Sequence, residues 1–286
     1  MSSSEVPHAG FSGLVVVADP EDPVATEVRD YVVESGHEAV VLDVFDAAQT
    51  FTVTVGDGAA PVVEPALPMM LRLPAPPLLR ISFDAEFQLN ECLAHLWAVA
   101  ALTAAPVINR PAPGGLGTSV SASAALTELR AGLPAGSVEV FSSGPPGPPE
   151  PDGSAEGAGE AGAGEGAQWW VQDLASWTTR PWPERSPGSG PYRARWSDPD
   201  PLFENVVVFG DHAWPCSSIE LGGLRLEERS TGIVARLGLE LASVVWRISP
   251  DLQRAHPVVV EPFPDVEQLR MVWLGFGPRL LKVLFP

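Results

Sequence analysis

The feature that most limits the fold is a run from Ser142 to Ala167 made only of Ser, Gly, Pro, Ala and five acids, with no aromatic or branched aliphatic side chain. Such a segment buries too little apolar surface to offset its ordering entropy, so the sequence predicts a disordered, self-repelling linker there. The chain on either side must then supply its own cores. A length of 286 residues fits one large domain or two to three small ones, at roughly 100–200 residues each.

On the N-terminal side, Leu14–Ala18 is an apolar strand pattern, and the D-P-E-D-P turn after it leads into Val24–Ser35, with Val24, Val28, Tyr31 and Val32 at helical spacing. Glu38–Val44 is a second strand, which makes a βαβ unit with a parallel pair. Thr50–Val55 alternates in the strand period, Met69–Leu73 is a short strand stopped by Pro74, Phe83–Thr103 is a long helix, and Val107–Asn109 is again a strand. No G-x-G-x-x-G or Walker loop is present, which removes the usual dinucleotide and P-loop readings. The glycine-rich turn Gly114–Gly117 before a helix over Ser119–Arg130 reads as an inter-subdomain turn, with a phosphate cradle as the alternative.

Beyond the acidic tract, Gln168–Trp196 holds Trp169, Trp170, Trp177, Trp182 and Trp196 with Arg180, Arg185, Arg193 and Arg195. Trp and Arg together can stack on a base or clamp a peptide; they can equally seal an irregular segment onto a domain. Val206–Phe209, Gly210-Asp211 and His212–Pro215 read as a hairpin. Leu224–Leu237 is a helix with Leu226, Ser230, Ile233, Val234 and Leu237 inward. Val244–Ile248 and Val258–Val260 are strands, the second stopped by Pro262 and Pro264, and Val266 to about Leu284 is a final helix.

The net charge of −19 with one lysine, Lys282, argues against nucleic acid as a partner. No apolar run reaches the roughly 18 residues of a membrane span, and no signal-peptide pattern opens the chain. Cys92 and Cys216 form neither a disulfide framework nor a metal knuckle, so a reducing cytoplasm is the expected location. The five histidines lack zinc spacing, and no G-x-S-x-G marks an acyl-enzyme.

The order helix, L-G-L turn (Leu237–Leu239), strand, hairpin, strand and E-P-F-P (Glu261–Pro264) resembles the C-terminal part of the ATP-grasp ligases. The stretch V-V-V-A-D-P-E-D-P, the L-R-L-P strand, the long helix and P-V-I-N-R-P resemble the N-terminal domain of the RimK-like members that modify peptides and natural products. The resemblance implies an α/β fold: a βαβ-type pre-ATP-grasp subdomain over 13–112, a linker helix and strand over 113–141, the disordered tract over 142–167, and a Trp/Arg segment with a reduced ATP-grasp-like α+β domain over 168–286.

Such ligases convert a carboxylate and ATP to an acyl phosphate that an amine displaces, and they need Mg²⁺ and cationic clamps around the phosphoryl groups. Laid on this chain, the family's metal-binding Asp, Glu and Asn fall on Val245, Val259 and Glu261. No lysine stands before Lys282 to reach the phosphates. The acidic tract occupies the place of the sheet that covers the nucleotide, which makes the central lobe look eroded. What the resemblance leaves as site residues is Glu261 for a metal, Arg247, Arg193 and Arg195 for a nucleotide, and Arg72 and Arg110 for substrate. The expectation is a non-catalytic binding or accessory subunit in peptide or natural-product maturation, with no cofactor and with a peptide or an active ligase as partner. The alternative is an active carboxylate–amine ligase using ATP and Mg²⁺ in a rebuilt site.

Overall fold

The computed structural model describes residues 10–58, 60–73, 83–111, 139–142, 168–173, 179–181, 192–197, 202–217, 222–249, 252–253 and 255–286. The acidic tract after Ser142, the Gly114–Gly117 turn and the helix expected over 119–130 lie outside them. Three four-stranded sheets organise the rest.

The first sheet is parallel. Its strands β1 (Leu14–Ala18), β2 (Ala39–Leu42), β5 (Met69–Arg72) and β6 (Val107–Ile108) lie in the order β2-β1-β5-β6. Helix α1 (Pro23–Glu34) starts on an Asp22 cap with Pro at its first turn, a start signal readable in D-P. Val24, Val28 and Val32 are fully buried against β1, as the 3.6-residue spacing requires. Helix α3 (Phe83–Leu102) covers the opposite face through Leu96, Val99 and Ala100. A short helix α2 (Val44–Thr50), capped by Asp43, fills the stretch between the two expected strands, for which the sequence predicts no element, and takes one end residue of each. The second of these strands shrinks to β3 (Thr52–Thr54), paired with β4 (Val62–Glu64). Asp43 bonds to the amides of Phe45 and Asp46 and starts a helix, while strand alternation sees only the residues after it.

The second sheet corrects the reading of an eroded central lobe. Strands β7 (Glu139–Ser142), β8 (Gln168–Asp173), β9 (Thr179–Pro181) and β10 (Tyr192–Ser197) pair antiparallel in the order β7-β10-β8-β9. The acidic tract is therefore an insertion between β7 and β8 and does not take the place of this sheet. Tyr192 and Asp173, register partners, are both buried.

The third sheet, β12-β11-β13-β14, is antiparallel: β11 (Leu202–Phe209), β12 (His212–Pro215), β13 (Leu241–Ile248) and β14 (Ala255–Glu261). Helix α4 (Leu226–Arg236) covers one face, where Trp246 is fully buried and donates its indole N–H to Ser230 Oγ at 2.8 Å. The L-G-L turn ends α4, with Gly238 at φ +70, a conformation glycine adopts without the penalty other residues meet. Helix α5 (Val266–Leu284) packs on the other face through Leu269, Val272 and Phe276. That core also holds Val16, Val24 and Val28 of the first sheet layer, so one apolar cluster joins the N-terminal unit to the C-terminal sheet.

Candidate functional site

The E-P-F-P segment that ends β14 is held from both halves of the chain. Asn109, one residue past β6, sits at φ +54, a left-handed conformation that Asn tolerates better than most residues. Its amide nitrogen donates to Leu241 O at 2.9 Å and Pro262 O at 3.4 Å, and its amide oxygen accepts from Glu240 N and Leu241 N at 2.9 Å each. All four hydrogen-bonding possibilities of a buried amide side chain are thereby used.

Arg72, at the end of β5, is buried. Its Nε donates to Asp22 Oδ2 at 2.8 Å, its Nη1 reaches Pro264 O at 3.3 Å, and its guanidinium carbon lies 5.7 Å from the centre of the Phe263 ring. Asp22 has two tasks: Oδ1 accepts the amides of Val24 and Ala25 to start α1, and Oδ2 takes Arg72. Gln268 completes the junction. It forms a capping box with Asp265 and donates to Glu261 Oε2 at 3.1 Å.

Glu261 stands opposite Ser243 in the β13–β14 register, on the face that also carries Val245 and Val259. Burial pushes its carboxyl up, the bond from Gln268 opposes that, and the nearby Asp265 adds to the rise. Ser243 Oγ is fully buried and has no hydrogen-bond partner among the described residues. The next pair along this face is Val245 opposite Val259. Beyond it the register shifts: Trp246 pairs with Pro257, and Val258 is left without a partner. Pro257 has no N–H to continue the ladder, which accounts for the irregularity.

The expected site residues divide into four groups. Arg72 and Glu261 meet at one junction, on either side of the E-P-F-P turn. Arg247 lies on β13 opposite His256 and Phe203, four residues from Ser243 and so about 13 Å along the strand at roughly 3.3 Å per residue. Arg193 and Arg195 are on β10 of the second sheet, opposite Phe141 and Gln172, and Glu139 and Trp170. Arg110 donates to the carbonyls of Ala100, Ala101, Thr103 and Ala105 and satisfies the end of α3. The residues that organise the junction but escaped the sequence reading are Asp22, Asn109 and Gln268. Two of them carried a signal, since D-P at a helix start and D-x-x-Q before an apolar run are capping patterns.

No protein-family model matches the sequence, and no curated protein matches it. Solved structures do. The ATP-grasp ligase PsnB, complexed with a phosphomimetic variant of its minimal precursor, Mg and ADP, superimposes with a TM-score of 0.62 at 17% identity, over 96% of this chain and 98% of that one. The macrocyclase MdnC from Microcystis aeruginosa MRC, bound with the precursor peptide MdnA, gives 0.63 at 14% identity over 96% and 99%. A RimK domain ATP-grasp protein from Sphaerobacter thermophilus DSM 20745 gives 0.53 at 16% identity over 96% and 100%. The described residues therefore have the mixed α/β ATP-grasp fold, and the structural neighbours include an ATP-grasp ligase and a macrocyclase solved with precursor peptides.

A Mg²⁺ ion fits the β13–β14 face poorly. Val245 and Val259 bring no donor atoms, and hard cations take oxygen ligands. Glu261 has one oxygen bonded to Gln268, and its burial favours the neutral acid, which is the weaker ligand. Among the described residues no group of three His, Cys, Asp or Glu could hold a metal ion.

Proposed function

We propose that this protein is a non-catalytic relative of the peptide-modifying ATP-grasp ligases, acting as a binding or accessory subunit in peptide maturation. The observation that carries the reading is the Val245–Val259 pair: two valines face each other in register where the resemblance places the Asp and Glu that would hold the metal. The scaffold around them is kept. Arg72, Asn109 and Gln268 fasten the strand end, so the fold holds this strand in place without the ligands that phosphoryl chemistry requires. A peptide or an active ligase is the partner this reading assigns, by analogy with neighbours solved with precursor peptides.

One observation favours the alternative of an active, ATP- and Mg²⁺-dependent carboxylate–amine ligase. The β7-β10-β8-β9 sheet is present, and it carries Arg193 and Arg195 on a single strand. In that alternative these arginines and Arg247 replace the missing lysine as charge, although a planar guanidinium is not a geometric substitute for an ammonium. Calorimetric titration of ATP with Mg²⁺ separates the two. The non-catalytic reading expects no heat up to millimolar nucleotide; metal-dependent binding in the micromolar range would overturn it.

A further inference from the structure

An open groove of about 350 Å³ runs between α1 and α5, lined by Glu27, Asp30, Tyr31 and Glu34 on one side and Arg270 and Trp273 on the other. The α1 residues recur at i, i+3, i+4 and i+7, one stripe of a helix. Tyr31 and Trp273 meet edge to face, with ring centres 5.2 Å apart. Gly277 makes this possible: a Cβ there would fall 2.7 Å from Tyr31 Cζ. The groove thus has an aromatic floor under a rim of carboxylates.

Its charges do not balance internally. Arg270 is engaged by Glu27 and by Glu267, and Asp30 by Arg29 on its own helix. The Glu34 carboxylate makes no hydrogen bond or ion pair among the described residues. Beside the groove, α5 presents Leu274, 97% exposed and one turn beyond Arg270. A single exposed apolar residue is ordinary, but Leu274 lies on the same helix stripe as Arg270 and gives the groove an apolar edge.

We propose that this groove docks a basic amphipathic segment of a partner protein, with a Lys or Arg side chain between Glu34 and the Trp273 ring and an apolar side chain over Leu274. Carboxylates beside a ring face are the chemistry that holds an ammonium or guanidinium. A second copy is a poor occupant, because it would bring another net charge of −19 to an acidic face. The surface shares no residue with the Arg72–Asn109–Glu261 junction, so it stands or falls independently of whether the chain binds ATP.

The test uses two labelled synthetic helical peptides, one of alternating Lys and Leu faces and one with every Lys replaced by Glu, titrated by fluorescence anisotropy against the full chain. The expected result is binding of the Lys peptide alone. The double variant Asp30→Lys/Glu34→Lys should weaken it at least tenfold and Leu274→Ser about fivefold. Glu86→Lys/Glu91→Lys, which makes the same charge change on exposed positions of α3, should alter it less than twofold. Equal losses from both charge reversals would reduce the effect to whole-molecule electrostatics and overturn the proposal. So would an unchanged Leu274→Ser, no binding at millimolar peptide, or sedimentation showing a dimer that Leu274→Ser dissociates.

Discussion

Asn109 and Leu241, separated by 132 residues, exchange two hydrogen bonds: the side-chain amide of Asn109 donates to Leu241 O and accepts from Leu241 N, each at 2.9 Å. The side chain imitates a strand neighbour at the first residue of β13, so the parallel sheet and the C-terminal sheet are joined as though by one more ladder rung. Asn109→Ala removes that rung and leaves buried backbone groups of Leu241 and Pro262, and the partly buried amide of Glu240, without this partner. At about 1–3 kcal/mol per unsatisfied buried group, with partial relief by relaxation, the loss should be about 3 kcal/mol in urea unfolding. Asn109→Gly should recover about 1 kcal/mol of it, the cost of a left-handed φ for alanine. A glycine variant as stable as the parent would show the clamp to be energetically idle.

Arg72 gives a second, separable prediction. Its pair with Asp22 is buried at both ends, 8% and 14% exposed, and removing one partner of such a pair leaves an uncompensated charge. Arg72→Met should cost about 3 kcal/mol. Asp22→Asn keeps an N-cap oxygen but loses the charge, so the double variant should be less destabilised than the sum of the singles, by about 1 kcal/mol or more. Strict additivity in this cycle would mean that Arg72 acts only through Pro264 O and the Phe263 ring.

Glu261 sets a pH dependence with a definite sign. Burial raises its folded-state value, so the native state holds the proton at pH values where the unfolded chain has released it. Its contribution to stability is present in full below the ordinary Glu range and is lost as pH rises through the raised folded value. Glu261→Gln cannot titrate. The stability of the variant relative to the parent should therefore climb as pH increases from about 4 toward 8. Parallel pH profiles for the two proteins would remove Glu261 from any such role. Glu240, whose carboxyl is also raised by burial, contributes in the same direction in both proteins and cancels in the comparison.

Periodicity made most of the fold legible, and its failures have physical causes. Val24, Val28 and Val32 announced α1, and the apolar stripe of Val266–Leu284 gave α5 its full extent, because in both the buried face alone decides the element. The second sheet was missed because its strands, Gln168–Asp173, Thr179–Pro181 and Tyr192–Ser197, are short and mix Trp with Arg and Gln. They also lie among prolines and glycines that read as loop. Glu261 stood out as a carboxylate at a strand end. Asn109 did not, because an amide that bonds four backbone groups from 131 to 153 residues away leaves no local pattern.

Val245 and Val259 permit the sharpest check on how the β13–β14 face relates to a metal site. If their positions address one common space, Val245→Asp combined with Val259→Glu should rebuild a cation site that the parent lacks. Without metal the double variant should be destabilised. Two carboxylates directly opposite in a ladder repel by up to about 1 kcal/mol, and position 259 is only 3% exposed, so desolvation adds to the cost. Mg²⁺ or Mn²⁺ should then restore stability through linkage, by about 2.7 kcal/mol at a metal concentration one hundred times the dissociation constant. The parent chain should melt at the same temperature with and without the metal. Thermal unfolding at 0 and ~10 mM Mg²⁺ decides the matter: a metal-dependent shift confined to the double variant places the two side chains over a shared cation, and no shift in either protein means that opposition in register does not bring their carboxylates to one point.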